Sequence, residues 1–319
     1  MKRIGILTSG GDAPGMNAAI RSIVRTGIYH QFEIIGIMRG YEGLVNGEMN
    51  SMDLSSVSGI LNRGGTILKS ARSQAFRTKE GQQQALDQIK KNKLDAIITI
   101  GGDGTSHGAH ELAQLGIQVI NVPSTIDNDL AGTDYTIGFW TAVTTALDAI
   151  DKIRDTATAY DRLFVVEVMG REHGYIALQT GLAGGAEFIL IPEIPYTIDA
   201  LCKKLDTGKR RGKTSSIIVV SEGAGNAADL AKQIKEKAGY DTRYCVIGHL
   251  QRGGIPVAFD RIHASRLGAR AVELIESGES DKMVGIEADR FSLYPIPYSW
   301  ETVKPIQLEY YHLGQILAT

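Results

Sequence analysis

The sequence predicts an α/β protein with mostly parallel sheets, on three observations. Short β-branched runs alternate with helix-length amphipathic stretches throughout the 319 residues. Hydrophobic residues make up 43% of the chain and charged residues 22%, enough to bury a large core. Glycine turns follow several apolar runs, as they do where a parallel strand hands over to a helix. The expected strands are 3–8, 33–38, 96–100, 118–122, 163–169, 188–191, 216–221 and 244–249, and a helix is expected over 17–29. The longest helical pattern, 139–156, carries Val143, Leu147, Ile150 and Ile153 at helical spacing and divides the chain near its middle, as a domain connector would. A chain of this length exceeds one ordinary core, so one large or two modest domains are expected.

Composition narrows the functional classes. A formal net charge of −2 gives no reason to expect nucleic acid or an anionic membrane as the main partner. Cys202 and Cys245 are the two cysteines, in no metal-ligand spacing, which fits a reducing compartment and argues against a disulfide framework or a structural zinc. The apolar run near Met1 is too short for a secretory signal, and no apolar segment reaches the ~18 residues of a membrane span. The expectation is a cytoplasmic protein.

The first glycine turn, Thr8-Ser9-Gly10-Gly11-Asp12, joins a strand to the helix expected over 17–29. Glycine lets backbone N–H groups approach a ligand closely, and a helix N-terminus favours an anion. An ordinary strand-to-helix turn is the alternative. No G-x-x-x-x-G-K-[ST] run exists, and neither glycine turn fits the G-x-G-x-x-G dinucleotide pattern, so any nucleotide is held in another way. The second turn, Gly101-Gly102-Asp103-Gly104-Thr105, places an acid among glycines after the strand at 96–100. A carboxylate there can hold Mg²⁺ while Gly102, Gly104 and Thr105 offer N–H groups to phosphates. The alternative is a helix cap at Asp103 or Thr105.

Some twenty residues on, Thr125-Ile126-Asp127-Asn128-Asp129 follows the strand at 118–122. In an extended segment the two carboxylates point the same way and raise each other's proton affinity. One could then take a proton from an attacking hydroxyl while the other attends to a metal. Asp-Asn-Asp alone is often a polar turn. Basic residues stand beside loop glycines at Arg72, Arg162, Met169-Gly170-Arg171, Arg243 and His249-Leu250-Gln251-Arg252-Gly253-Gly254. Guanidinium groups bind phosphate oxygens bidentately, although any one of them is as easily a surface group. Glu222, after the strand at 216–221, is either an acceptor for a sugar hydroxyl or a surface acid.

Taken in order along nearly the whole chain, these five motifs resemble the ATP-dependent 6-phosphofructokinases of bacterial type. That resemblance implies transfer of the ATP γ-phosphoryl group to the 1-hydroxyl of fructose 6-phosphate, with Mg²⁺, giving fructose 1,6-bisphosphate and ADP. It implies two doubly wound Rossmann-like α/β/α domains with the active site in the cleft between them: 1–138 with 251–301 binding ATP, 139–250 with 302–319 binding the sugar phosphate. On matching positions Asp127 looks like the base, with Thr125 beside it, Asp129 supporting the acid cluster and Arg171 stabilising the transferred charge. Asp103 resembles the Mg²⁺ contact, and Gly11, Arg72, Ser73, Gly102, Asp103, Gly104 and Thr105 the nucleotide site. The sugar phosphate is expected against Thr125, Asp127, Met169, Gly170, Arg171, Glu222, His249 and Arg252, with Arg162 and Arg243 reaching it from a neighbouring subunit of a homotetramer. An effector site is implied at Arg21, Arg25, Arg154, Gly185, Glu187, Arg211 and Lys213, where ADP activates and phosphoenolpyruvate inhibits. Read without the resemblance, Arg21 and Arg25 are one exposed helix face at i,i+4.

The matching is not uniform. Ser124 stands where many ATP-using members have Gly, and Thr105 where Ser is frequent; Trp140, His173 and Tyr175 replace residues expected to be smaller or acidic. In pyrophosphate-using relatives the positions of Gly104 and Ser124 are typically Asp and Lys, so this pair favours ATP. The segment from Phe291 matches weakly and is left unassigned. The alternatives are a pyrophosphate-dependent phosphofructokinase and a catalytically silent sensor of nucleotide and sugar phosphate. NAD and lipid kinases share only the Gly-Gly-Asp-Gly turn.

Overall fold

β-Branched runs buried on both faces form the centre of each of two sheets. A computed structural model describes residues 2–318, and the chain passes between two compact units after residues 141, 251 and 304. The first unit begins β1 (Arg3–Thr8), α1 (Met16–Tyr29), β2 (Glu33–Ile37), α2 (Gly40–Asn46), β3 (Met49–Met52), α3 (Lys79–Lys91), β4 (Ala96–Gly101), α4 (Asp103–Gln114) and β5 (Gln118–Pro123). Helix α5 (Phe139–Ala159) then leads into the second unit: β6 (Leu163–Val168), α6 (Tyr175–Ala183), β7 (Phe188–Leu190), α7 (Ile198–Arg210), β8 (Ser216–Ser221), α8 (Ala227–Ala238) and β9 (Thr242–Val246). The chain returns to the first unit with α9 (Ala258–Glu276), β10 (Lys282–Glu287), β11 (Arg290–Pro295) and α10 (Tyr298–Glu301), and α11 (Leu308–Leu317) lies in the second. Among the described residues no helix is long and apolar enough to cross a membrane.

The first unit is a seven-stranded sheet in the order β11-β10-β5-β4-β1-β2-β3, parallel except for its two outer strands. β4 is buried at every residue, as expected of a central parallel strand covered by helices on both sides. One side packs Leu7, Ile37, Ile97 and Val119 against Leu44, Ile89 and Leu112 of α2, α3 and α4. The second unit is a four-stranded parallel sheet, β7-β8-β6-β9, with Leu163, Val165, Ile218 and Val220 against Leu201 and Leu205 of α7 and Leu230 and Ile234 of α8. Truncating any of these Leu or Ile side chains to Ala would cost about 2–5 kcal/mol.

The α/β alternation stands as expected, with two departures. The strand expected at 244–249 runs Thr242–Val246, because Gly248 takes φ +51 and opens a 3₁₀ turn over Gly248–Arg252 that contains His249. Strands β3, β10 and β11 were absent from the expectation. β3 is the short polar edge Met-Asn-Ser-Met, and β10 and β11 form a hairpin through Ala288 (φ +46) and Asp289 (φ +62), a left-handed pair without the usual Asn-Gly signal.

The start of α5 is fastened from a distance. Fully buried Asp260 on α9 accepts hydrogen bonds from Gly138 N at 3.0 Å, Thr141 N at 2.7 Å and the Thr141 hydroxyl. Burial pushes its carboxyl from 3.8 up to about 6, against the pull of these three donors. The folded chain therefore holds this proton more tightly than the unfolded one, and the stability gained is present below about pH 4 and lost as pH rises through about 6. Comparing denaturant unfolding of the parent and Asp260→Asn, the stability difference should narrow by up to about 3 kcal/mol between pH 4 and 6.5; a constant difference would show that burial does not shift this group.

Candidate active site

In an open parallel sheet, ligands bind beyond the carboxyl ends of the strands where the strand order reverses. In the first unit that point lies between β1 and β4, and both glycine turns emerge there, Thr8 paired with Ile100 and Ser9 N bonded to Ile100 O at 3.1 Å. Closeness explains the glycines: a Cβ on Gly101 would fall 2.6 Å from Ser9 O and 2.3 Å from Thr105 Oγ1. A Cβ on Gly104, in contrast, would meet nothing within 4 Å. Thr105 Oγ1 is buried without a hydrogen-bond partner, a donor held in reserve beside the turn. The first N–H groups of α4 have no partner within the helix, so Asp103 and Gly104 sit where an anion is favoured.

Loop contacts add the remaining predicted nucleotide residues. Asn17 accepts from Ile67 N at 2.8 Å and donates to Arg63 O and Gly64 O, while Ser70 donates to Gly10 O, tying the segment before Arg72 and Ser73 across the first turn. Ser73 Oγ accepts from Phe76 N at 3.1 Å, Phe76 stacks on Tyr41 at 4.5 Å, and the Tyr41 hydroxyl donates to Thr105 O at 2.6 Å. Arg252 lies over the first turn: a Cβ on Gly11 would fall 2.1 Å from its guanidinium.

Asp103, 43% exposed, lies with its Oδ1 3.3 Å from His107 Nδ1. Mg²⁺ is commonly held by one or two carboxylates together with substrate phosphates and water. Among the described residues no group of three or more His, Cys, Asp or Glu could hold a metal alone. A single exposed carboxylate beside helix N–H groups is a donor set that fits a cation shared with phosphate oxygens.

After β5 the chain makes a turn rather than continuing extended. Asn128 adopts φ +55, which corrects the expectation of an extended 125–129 segment and removes the argument that Asp127 and Asp129 project alike by strand alternation. Thr125 touches the second glycine turn, since a Cβ on Gly102 would come within 3.2 Å of the Thr125 Cβ. Asp127 is 1% exposed; its N–H donates to Thr125 Oγ1 at 3.2 Å, and the Thr125 hydroxyl lies 3.4 Å from Asp127 Oδ2 as donor. Asn128 Oδ1 accepts from Thr136 N at 2.9 Å and from Lys304 Nζ at 2.8 Å, and the Thr136 hydroxyl donates to Thr125 O. Asn128 and Lys304 escaped the sequence reading: an Asn between two Asp suggests left-handed backbone, but nothing in sequence links Lys304 to it.

In the second unit the ends of β6, β8 and β9 gather Met169, Gly170, Arg171, Glu222 and His249. Glu222 Oε1 accepts from Gly170 N at 3.2 Å and Arg171 N at 2.8 Å, and Met169 N donates to the buried Gln251 Oε1 at 2.9 Å. Gly170 at φ +140 and Arg171 at φ +51 make a strained turn, and a Cβ on Gly223 would fall 2.1 Å from Arg171 O. Gln251 is a third residue the sequence reading did not single out. Arg162 and Arg243 lie at the opposite ends of the same strands, a β6 length of roughly 20 Å away. Both pair with Asp241, at 2.8 and 3.3 Å, and Arg162 also covers the Tyr160 ring. Within one chain they are therefore separate from Arg171.

Four of the predicted effector residues cluster. Arg154 donates to Gly184 O and to Gly185 O, Lys213 pairs with Glu187 at 3.0 Å, and Glu187 accepts from Ile217 N. Arg211 caps the C-terminus of α7, and Arg21 and Arg25 lie on α1 of the first unit, Arg25 exposed. Trp140 belongs to an aromatic cluster with Tyr135, Phe139 and Phe259. His173 lies 3.7 Å from Glu193 and beside Tyr175.

Two glycine turns and an acid turn at the switch point of the first unit have the layout of a phosphoryl-transfer fold. The chain belongs to the phosphofructokinase family, whose model matches residues 3–275. It is 54% identical over 318 residues, the full length of both chains, to an ATP-dependent 6-phosphofructokinase of Alkaliphilus metalliredigens, and 52% identical over the same span to that of Clostridioides difficile. Its structure resembles phosphofructokinase from Saccharomyces cerevisiae (TM-score 0.88, 34% identity), covering 99% of this chain and 46% of that one. It also resembles a pyrophosphate-dependent phosphofructokinase from Marinobacter aquaeolei (TM-score 0.85, 26% identity), covering 97% and 86%.

Replacing Gly101 with Ala should cost about 1–3 kcal/mol through overpacking against Ser9 O and raise the KM for nucleotide more than that for the second substrate. Equal KM changes for both substrates would separate this turn from nucleotide binding.

Proposed function

We propose that this protein is an ATP-dependent 6-phosphofructokinase of glycolysis, which moves the γ-phosphoryl group of ATP to the 1-hydroxyl of fructose 6-phosphate. The observation that carries this reading is the contact of Thr125 with Gly102, which joins the acid turn to the nucleotide turn at one strand-end crevice. The N–H groups of the first turn and of α4 receive phosphate oxygens, and Gly11, Arg72, Ser73 and Gly102 to Thr105 surround the nucleotide. Asp127, oriented by the Thr125 hydroxyl, accepts the proton of the attacking 1-hydroxyl. Asp129 keeps the acid turn polar and Arg171 offers forked donors to charge on the transferred group. Bound at Asp103, Mg²⁺ would neutralise phosphate charge.

Fructose 6-phosphate lies against Met169, Gly170, Arg171, Glu222, His249 and Arg252. Glu222 keeps Oε1 on the Gly170 and Arg171 N–H groups and offers its second carboxylate oxygen to a sugar hydroxyl. Arg162 and Arg243, at the wrong strand ends for their own chain's Arg171, serve a neighbour's sugar site in a homotetramer. ADP and phosphoenolpyruvate act at Arg154, Gly185, Glu187, Arg211 and Lys213 together with Arg21 and Arg25, and the enzyme works in the cytoplasm. The open space at Gly104 suits ATP, because an Asp side chain there would fill the room a nucleotide needs.

Fructose 1,6-bisphosphate formation assayed with Mg²⁺ and either ATP or pyrophosphate tests the reading. Product should form with ATP alone, and Asp127→Ser should lower turnover by ~10²–10⁴-fold while calorimetry still detects sugar-phosphate binding. Product with pyrophosphate alone, or undiminished turnover in the variant, would overturn it.

A further inference from the structure

Resting on that reading, we propose that Lys304 is a positioning residue for the catalytic turn, its ammonium holding Asn128 Oδ1 at 2.8 Å and Asp134 O at 3.0 Å. Both bonds close on one structure. Asn128 Nδ2 also donates to Asp134 O at 3.2 Å, so the lysine clamps the two ends of a loop already joined by the asparagine. The residue clamped is the left-handed one that separates Asp127 from Asp129.

Burial works against the ammonium at this place, and three acids partly offset it. Asp129, Asp134 and Glu287 all draw the charge toward them, and Asp134 and Glu287 are themselves held, by Ala288 N at 2.8 Å and the Tyr294 hydroxyl at 3.0 Å. Buried His263, whose Nε2 donates to Tyr135 O at 2.8 Å, is a nearby basic group on α9. Burial of the ammonium pushes Lys304 down to about 7, so the lysine is enclosed at its charged end although its stem keeps part of its surface. Enclosing an ammonium is costly and is offset only where acceptors are fixed around it. Lys304 is also the last residue of the first unit before the chain crosses to the second. A lysine that merely anchored that crossing would need no contact with Asn128.

Loss of the ammonium would leave Asn128 Oδ1 only its Thr136 contacts, the N–H at 2.9 Å and the hydroxyl at 3.4 Å, loosening the turn without unfolding it. Displacing a reacting group by about 1 Å can cost ~10²-fold in rate. Two measurements on Lys304→Met and Lys304→Arg test the assignment. Hydrogen exchange of the 125–136 segment should quicken in Lys304→Met and return toward the parent rate in Lys304→Arg, independently of any reaction. In the ATP-dependent assay, Lys304→Met should lose ~10–100-fold in kcat with KM for ATP within about threefold and Tm within about 4 °C, and Lys304→Arg should recover part of the rate. Unchanged exchange in 125–136, or a loss matched by a large fall in Tm and not relieved by arginine, would overturn it. A parent protein without phosphofructokinase activity would instead strike the functional reading, leaving the exchange measurement to decide the role of Lys304.

Discussion

The left-handed backbone at Asn128 is the constraint on which the site depends. An L-residue there costs about 1–2 kcal/mol relative to the right-handed form, and asparagine lowers that cost because its side chain bonds locally. Here Thr136 N and Lys304 meet its oxygen and Asp134 O takes its amide hydrogen. The conformation turns the chain sharply after β5, buries Asp127 and leaves Asp129 partly exposed. Two carboxylates that strand geometry would have aligned are thereby given different surroundings. Different surroundings are what allow two like acids to take different roles.

That turn gains its meaning from the sheet below it. Parallel strands deliver their carboxyl ends to one edge, and the order reverses between β1 and β4, the place where an open parallel sheet receives ligands. The two glycines differ: at Gly101 another turn passes too close for a Cβ, whereas at Gly104 the Cβ direction points into open space. The second unit repeats the device, with Glu222 spanning the turn of Gly170 and Arg171. Its two N–H bonds to a single carboxylate oxygen keep a strained loop in place while its arginine stays exposed.

Much of this was legible in the sequence because it rests on local rules. Continuous β-branched runs announced the buried parallel strands, and Gly-Gly-Asp turns announced strand ends where backbone is exposed to a ligand. The polar edge strand β3 and the hairpin of β10 and β11 gave no such signal, since their pairing is set by neighbours and by a turn of Ala288 and Asp289. The acid turn was legible by composition but not by conformation: Asp-Asn-Asp is compatible with an extended run, and only contacts from Thr136 and Lys304, 8 and 176 residues away, select the left-handed form. Gln251 and Asp260 were hidden for the same reason, because each completes backbone distant in sequence. The separation of Arg162 and Arg243 from Arg171 follows from strand direction, which no motif records.

The most direct test is the kcat of Asn128→Gly and Asn128→Ala against the parent. Glycine keeps the left-handed backbone accessible and loses only the side-chain bonds, whereas alanine loses both. Turnover should fall in the order parent, Asn128→Gly, Asn128→Ala, with Asn128→Ala at least ~10-fold below the parent. Parental turnover in Asn128→Ala would contradict the dependence of the site on this turn.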